Sequence, residues 1–195
     1  MKKTVIMLAF VIWLGFTVTN AGADTINLDF GDSYYVGQII DGIPSSEADE
    51  AGYINNLIKL ATGATNVQIP PSTGEIYNRL NSTLGGLLPL VTLAELTKLE
   101  VDPAADTTVT AAGYVLGKYD ASNPGAGGYV WYVPAGTYVV PGFSPDTWDP
   151  TKGKWVSYGL SHVTYEVSVP EPGILILLGI AMSAIGAASW KISKL

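Results

Sequence analysis

The chain has 195 residues, a formal net charge of −7 at pH 7 and no cysteine. The lack of cysteine excludes disulfides, thiolate metal ligands and thiol nucleophiles. Four of the ten basic residues lie in the terminal segments, so residues 24–171 carry six basic groups, seventeen acidic groups and a formal charge of −11. A segment with this charge repels nucleic acid, and we therefore expect no nucleic-acid partner.

The first 23 residues have the organisation of a secretory signal peptide. Two lysines precede an apolar core over residues 4–18, and Ala21 and Ala23 form an A-x-A arrangement just before Asp24. We predict cleavage by signal peptidase before Asp24, after export by the secretion machinery. An uncleaved N-terminal anchor is the alternative, but its apolar core is short for a membrane span.

Residues 24–168 are predicted to form the exported domain, a length that suits one hydrophobic core. Near its start, residues 26–30 alternate apolar and polar side chains, which predicts a short half-buried strand. Residues 45–63 then change to a helical period, with Ser46 as the N-cap. Three acidic residues, among them Glu50, fill the first turn, and we interpret them as favourable charges against the helix dipole rather than as a metal site.

Residues 65–106 have a weaker pattern. The first part is rich in turn-forming residues, which predicts loops. Thr92 and Glu95 then have the spacing of a capping box, which would begin a short helix, while residues 96–101 also suit a strand. We favour a strand at the end of this segment and leave its start open.

Residues 107–168 have the composition of β-strands. The runs AGYVLGKYD, GGYVWYVP, GTYVVPG and SHVTYEVSV are rich in Val, Tyr and Trp, and turn-forming residues separate them. In the last run, Val163 and Tyr165 face one way while His162 and Thr164 face the other, which is typical of antiparallel strands with one wet face. We predict a mainly β fold, a small antiparallel β-sandwich with one short amphipathic helix, accompanied by a signal peptide helix and a C-terminal transmembrane helix.

No catalytic residue is predicted. His162 is the only histidine of the chain and it follows Ser161. A serine hydrolase needs a serine, a histidine and an orienting acid together, and the glycines of a nucleophile elbow are missing around this serine. We interpret His162 as a strand residue on the wet face.

No cofactor or metal ligand is predicted either. Asp102 with Asp106, and Asp146 with Asp149, lie in predicted loops, where oxygen ligands for calcium often occur. Neither pair follows the twelve-residue EF-hand pattern, so we interpret all four as turn-forming aspartates. A structural calcium site is the alternative.

Six aromatic residues raise a binding hypothesis: Tyr129, Trp131, Tyr132, Tyr138, Trp148 and Trp155. Tyr129 and Trp131 share one face of the predicted strand, and Tyr132 lies on the other. An exposed aromatic ring can stack on the apolar C–H face of a sugar, so Tyr129 and Trp131 are candidates for glycan binding. Burial in the core is the alternative and the commoner use of tryptophan in a small sandwich.

A short motif follows the last predicted strand. Its prolines hold the chain extended, so it can neither extend that strand nor join a following helix. An extended, unpaired segment is what a processing enzyme can bind. The motif consists of Val169, Pro170, Glu171 and Pro172.

An apolar segment and a basic tail complete this end. Residues 173–190 are uncharged and would form a helix of about 27 Å, near the lower limit for a membrane span. Residues 191–195 contain two lysines, which the positive-inside rule places on the cytoplasmic side. An ordinary C-terminal anchor would share both features but would not need the Pro-Glu-Pro step.

The motif, the apolar segment, the basic tail and the signal peptide together resemble the PEP-CTERM family of exported bacterial proteins. The resemblance implies processing by an exosortase, a membrane cysteine transpeptidase-like enzyme that recognises such a tripartite signal. It covers residues 169–195, and the tail departs from the family by lacking an arginine cluster. Residues 114–133 and 159–167 also look like segments of one group of PEP-CTERM β-sandwich proteins, and the family's occurrence in matrix-forming bacteria implies exopolysaccharide as a further partner.

These observations define three expected parts: a signal peptide over residues 1–23, an exported domain over 24–168 and a sorting signal over 169–195. We expect a non-enzymatic protein that is held transiently in the inner membrane and then reaches the cell surface or extracellular matrix. The alternative is a carbohydrate-binding module of the exopolysaccharide matrix that uses Tyr129 and Trp131. A hydrolase that uses Ser161 and His162 is the third hypothesis.

Overall fold

The computed structural model describes residues 24–40, 46–70, 74–80, 87–119, 127–149 and 152–167. The predicted signal peptide and sorting signal lie outside these ranges. None of the helical segments within them has the length and apolarity that a membrane span requires. The elements in chain order are β1 (Thr25–Asn27), β2 (Tyr35–Ile40), α1 (Glu47–Lys59), β3 (Ile76–Arg79), a 3-10 turn (Leu93–Glu95), β4 (Leu96–Glu100), β5 (Thr107–Tyr119), β6 (Gly127–Val140), β7 (Thr147–Asp149), β8 (Lys154–Val156) and β9 (Leu160–Val167).

Seven of the nine strands form one sheet. Its order is β3-β2-β6-β5-β9-β4, and β1 pairs with the far end of β6. The β1–β6 pair is parallel and the other pairs of this sheet are antiparallel. Strands β7 and β8 form a separate two-stranded hairpin.

The ribbon formed by β5 and β6 bends back on itself. The register of the pair shifts between Ala111 and Gly113, where Gly113 has a φ of +119°, and such a bulge bends and twists a ribbon. Beyond the bend, Val140 returns to the middle of β5, where a Cβ added to Gly117 would lie 3.1 Å from its Cγ1 atom. The Tyr119 hydroxyl likewise donates a hydrogen bond of 2.8 Å to the carbonyl of Pro141. The two halves of the ribbon therefore face each other.

The prediction of a mainly β, antiparallel fold with one helix is confirmed. The sandwich differs in one respect, because a single bent sheet supplies strands on both sides of the core within the described residues, in place of two separate sheets. The structure also decides the secondary structure at the start of the 92–101 segment, which the sequence left open. Thr92 and Glu95 form a capping box that begins the 3-10 turn, and the favoured strand follows as β4.

Two hydrophobic cores lie on opposite faces of the sheet. The ribbon core fills the space between the two halves of the bent ribbon and includes Val115, Trp131 and Val163. The helix-side core lies between α1 and the other face and includes Ile54 and Leu116. The predicted wet face of β9 is therefore wrong, because α1 covers that face and buries it.

Helix α1 begins where the sequence predicts. The Ser46 side chain accepts a hydrogen bond of 3.2 Å from the backbone N–H of Asp49, which satisfies one of the free donors of the first turn. Ala51, Ile54 and Leu57 then form the apolar stripe that packs on the sheet. The sheet face under this stripe holds the first candidate site.

Candidate functional site

Helix α1 places a carboxylate inside the protein. Glu50 is fully buried, because it lies on the same stripe as Ile54 and Leu57, four and seven residues further along. The sequence prediction interpreted it as a favourable charge against the helix dipole and did not predict its burial. A buried carboxylate must find hydrogen-bond partners, since desolvation otherwise costs several kcal/mol, on the order of what folding leaves as net stability.

Strand β9 supplies those partners. His162 Nε2 lies 2.5 Å from Glu50 Oε1, and the Thr164 hydroxyl donates to Oε2 of the same carboxylate. His162 and Thr164 are two residues apart, so both side chains project from the same face of the strand toward α1. Both carboxylate oxygens are therefore engaged, and the helix is tied to the sheet.

Ser161 completes a chain of contacts that resembles a catalytic triad. Its Oγ lies 3.2 Å from His162 Nδ1 and donates a hydrogen bond of 3.0 Å to the backbone carbonyl of Lys118. A hydroxyl has one proton to donate. That proton is engaged with the backbone carbonyl, whereas a histidine acting as general base accepts the proton of the serine.

A buried cation lies beside this carboxylate. Lys118 is opposite His162 in the β5–β9 register and its side chain is only 2% exposed. Burial lowers the pKa of Lys118, and the nearby charge of Glu50 acts in the opposite direction. On the rim, Lys98 forms an ion pair of 2.8 Å with Glu100. We call Glu50, Lys118, Ser161, His162 and Thr164 the helix–sheet cluster.

The structure thus brings together the three residue types of the hydrolase hypothesis. His162 and Glu50 are 3% and 0% exposed, so the pair lies beneath α1 and away from solvent. The prediction that His162 lies on a wet face is wrong for the same reason. Chemically, the arrangement holds α1 on the sheet through neutralised charges and directed hydrogen bonds.

The two glycan-binding candidates lie in the ribbon core. Tyr129 and Trp131 are 4% and 0% exposed, and the Trp131 indole donates a hydrogen bond of 2.9 Å to the carbonyl of Asp29. Phe30 packs on both rings, with centroids 4.8 Å and 5.5 Å away. Because residues near β1 and the folded-back ribbon cover this face, neither ring can stack on a sugar. The hypothesis is corrected at these two positions.

Of the loop aspartates, Asp106 has a side-chain hydrogen bond that braces the fold. Asp106 Oδ1 accepts a hydrogen bond of 2.7 Å from the backbone N–H of Gly142, and the carbonyl of Asp102 accepts one of 3.2 Å from Ala105. Asp146 is exposed in the segment before β7. Across the described ranges, no group of three or more His, Asp or Glu side chains could hold a metal ion.

An exposed aromatic cluster lies on the β7–β8 hairpin and its base. Trp148 and Trp155 are directly opposite each other in the register, with ring centroids 5.9 Å apart at 67°, and they are 49% and 65% exposed. Phe143, at the base of the hairpin, is 54% exposed. The sequence analysis named both tryptophans among the aromatic residues that raise the glycan hypothesis, but it selected Tyr129 and Trp131 as the candidates. The sequence does contain a feature that predicts the exposure of the two hairpin tryptophans. Five Pro, Gly and Asp residues lie around Trp148, and these residues favour turns over a buried strand.

The sorting and cleavage residues lie at the margins of the described chain. Ala21, Ala23 and the Val169–Pro172 motif are outside it, and Asp24 is its first residue. Strand β9 ends at Val167, two residues before the motif. No protein family, curated protein or solved structure matches the chain.

Proposed function

We propose that the chain is a non-enzymatic exported protein delivered to the cell surface or extracellular matrix through its C-terminal sorting signal. The observation that carries this proposal is the order of features after β9. The Pro-Glu-Pro step at residues 170–172 precedes the uncharged segment 173–190 and the basic tail 191–195. Together with the signal peptide, this order suits entry into the inner membrane followed by processing of the PEP-CTERM type.

The position of β9 is consistent with processing after a folded domain. Glu166 pairs with Leu96 of β4, and Val167 pairs with Ala111 of β5, so the last strand is bordered on both sides to its end. Proline cannot donate to a sheet ladder, so the motif is unsuited to continue this pairing. Cleavage after Pro172 would therefore leave the two hydrophobic cores intact.

The helix–sheet cluster supports a structural rather than a catalytic use of Ser161, His162 and Glu50. The serine proton is donated to a backbone carbonyl, and the histidine and carboxylate are buried beneath α1. A general base must reach the proton that it removes from a substrate-facing nucleophile. The contacts of this cluster instead join the helix to β9.

The sorting proposal is tested by replacing Pro170, Glu171 and Pro172 with alanine in the full precursor. The substitution keeps the apolar segment for membrane insertion but removes the extended geometry and the acid. In a host that has the sorting enzyme, we expect the wild type to lose the segment after Pro172 and leave the inner membrane. The variant should accumulate there at its uncleaved C-terminal mass, measured by intact mass spectrometry and fractionation.

A host without the sorting enzyme provides the matched control, in which both proteins should keep the uncleaved mass. If wild type and variant have the same uncleaved mass and the same membrane fraction in the host with the enzyme, the sorting proposal is wrong. Residues 173–195 would then be an ordinary C-terminal anchor.

A further inference from the structure

Exposed aromatic side chains are confined to one segment of the described chain. Phe143, Trp148 and Trp155 are exposed, whereas the other described aromatic side chains are buried or half-buried. Burying a Trp or Phe side chain is worth roughly 1.5–3 kcal/mol or more, so leaving three of them in water within thirteen residues is unfavourable unless the surface is used. We call these three residues and the hairpin that bears two of them the aromatic hairpin.

Stabilisation of the hairpin explains only part of this arrangement. A two-stranded hairpin is marginally stable, and an edge-to-face tryptophan pair across it contributes about 0.5–1.5 kcal/mol. This contact uses an edge of one ring and part of the other, and Trp148 and Trp155 stay 49% and 65% exposed. Phe143 lies outside the pair. The contact within the hairpin therefore leaves faces of the Trp148 and Trp155 rings open to solvent.

The size of the surface favours a small, repeated ligand over a folded protein. Strands β7 and β8 have three residues each. Two tryptophans bury about 150–250 Å² each, well below the roughly 800 Å² per partner of a stable protein interface. A polymer of repeated sugar units can use so small a contact, because neighbouring units rebind and several protein molecules bind one chain.

The charge of the hairpin favours an uncharged ligand. Residues 143–156 contain two acidic and two basic residues, Asp146, Asp149, Lys152 and Lys154, so their formal charge is zero. The charge of −11 on residues 24–171 is therefore carried by residues outside the hairpin, and it repels an acidic polymer or an anionic lipid surface. A neutral sugar chain meets no such repulsion, and the exposed side chains of Asp146 and Lys154 can hydrogen-bond to its hydroxyl groups.

The position of the hairpin also disfavours a membrane as the ligand. Its base is joined to the start of β9, where the Leu160 N–H donates a hydrogen bond of 2.8 Å to the carbonyl of Gly142. Strand β9 ends at Val167, about 23 Å further along the strand, and the predicted membrane segment follows later in the sequence. The aromatic hairpin and the exit to that segment thus lie at opposite ends of β9.

We propose that the aromatic hairpin binds an uncharged polysaccharide by stacking pyranose C–H faces on Trp148 and Trp155. The apolar face of a sugar ring and the indole surface are desolvated together, and the flanking polar side chains orient the hydroxyl groups. This inference stands on the exposed tryptophans and is independent of the sorting proposal.

Affinity electrophoresis of the full chain tests the inference, in a detergent without a sugar headgroup. Native gels contain hydroxyethyl cellulose, soluble starch, galactomannan or arabinoxylan as neutral probes, with alginate as the acidic probe. We expect at least one neutral probe to retard the wild type. Trp148→Ala and Trp155→Ala should each weaken this binding at least about five-fold, and Trp155→Phe should keep most of it because a flat ring remains.

Leu93→Ala serves as the matched control, because Leu93 is an exposed apolar residue, 50% accessible, in the 3-10 turn outside the hairpin. Its retardation should equal that of the wild type. An unchanged far-ultraviolet circular dichroism spectrum shows that each variant is folded. The inference is overturned if no neutral probe retards the wild type, if both alanine variants bind as well as it does, or if only alginate or phosphatidylglycerol vesicles bind.

Discussion

The two cores of this protein exclude water in different ways. The ribbon core is built from neutral aromatic residues, whose polar atoms reach backbone carbonyls at its margin, as Tyr119 and Tyr138 do through hydrogen bonds of 2.8 Å to Pro141 and Pro134. The helix-side core instead buries charged groups, among them Glu50 and Lys118. The two halves of the bent ribbon are joined by hydrogen bonds along the chain and pack on each other. Helix α1 comes from another part of the chain, so specific side-chain contacts must fix its position on the sheet.

Arg79 extends this contrast. It is 3% exposed in β3, on the helix side of the sheet, and burial lowers the pKa of its guanidinium. Its Nε and Nη1 atoms have no hydrogen-bond partner in the described part of the chain. Buried charges are costly unless neutralised, so the helix-side core is the less stable of the two by composition. Three experiments separate the cores.

Alkaline pH should have the largest effect, through the ribbon core. Burial raises the pKa of Tyr35, Tyr119 and Tyr129 above their ordinary value of about 10. Because the folded protein keeps these protons longer than the unfolded chain, their stabilisation is complete below pH 10 and is lost as pH rises toward the folded values. We expect the free energy of unfolding to fall by about 1.4 kcal/mol per pH unit for each tyrosine. The three tyrosines together therefore contribute a slope of about 4 kcal/mol per pH unit.

Urea denaturation between pH 9 and 11.5, followed by circular dichroism, measures this slope. Tyr119→Phe should reduce the slope by about 1.4 kcal/mol per pH unit, which is the contribution of one buried phenol. Lys118 should act in the opposite direction, because its lowered pKa lets the folded state lose a proton before the unfolded chain does. A free energy that does not change above pH 10 would contradict the burial of these phenols.

Removing Glu50 should have the next largest effect, through the helix-side core. Glu50→Ala leaves His162, Thr164 and the nearby Lys118 without their buried carboxylate, and breaking such a pair typically costs about 3–5 kcal/mol. Glu50→Gln keeps the side-chain volume and an acceptor for the Thr164 hydroxyl, so we expect a smaller loss. Urea denaturation at pH 7 compares the variants, and equal stability of Glu50→Ala and wild type would show that the cluster contributes nothing.

Replacing the helix cap should have the smallest effect. Ser46→Ala removes the acceptor for the Asp49 N–H at an exposed position, and such substitutions cost about 1 kcal/mol. The loss should appear in the same denaturation experiment, with Thr97→Ala on the exposed face of β4 as a control for substitution alone. If the two variants are equally stable, the Ser46 cap is not what positions the start of α1.

The elements that sequence patterns predicted correctly are those specified by neighbouring residues. The Ser46 cap and the apolar period locate α1, and the Val- and Tyr-rich runs locate β5 and β9. The predicted turn between GGYVWYVP and GTYVVPG is wrong, because both runs belong to the single strand β6. The alternation of His162 and Val163 also gave the correct pair of faces. The alternation could not show that both faces of β9 are buried. One face is buried by α1, which is distant from β9 in the sequence.

The candidate site could not be predicted for the same reason. Glu50 and His162 are 112 residues apart, and an acid in a first helical turn has a sufficient local explanation as a surface charge. The aromatic residues posed the converse problem. Tyr129 and Trp131 have the composition of a binding face but lie under the folded ribbon, while Trp148 and Trp155 are exposed because their short hairpin has no layer above it.

The position of β9 determines how the domain responds to mechanical force. The strand lies between β4 and β5, is hydrogen-bonded to both and ends at Val167. A pull along the axis of β9 loads the strand in shear, against ladder hydrogen bonds that lie perpendicular to the pull. Many of these bonds must then break together instead of opening one at a time, so the domain should resist a pull along this strand better than a pull across it.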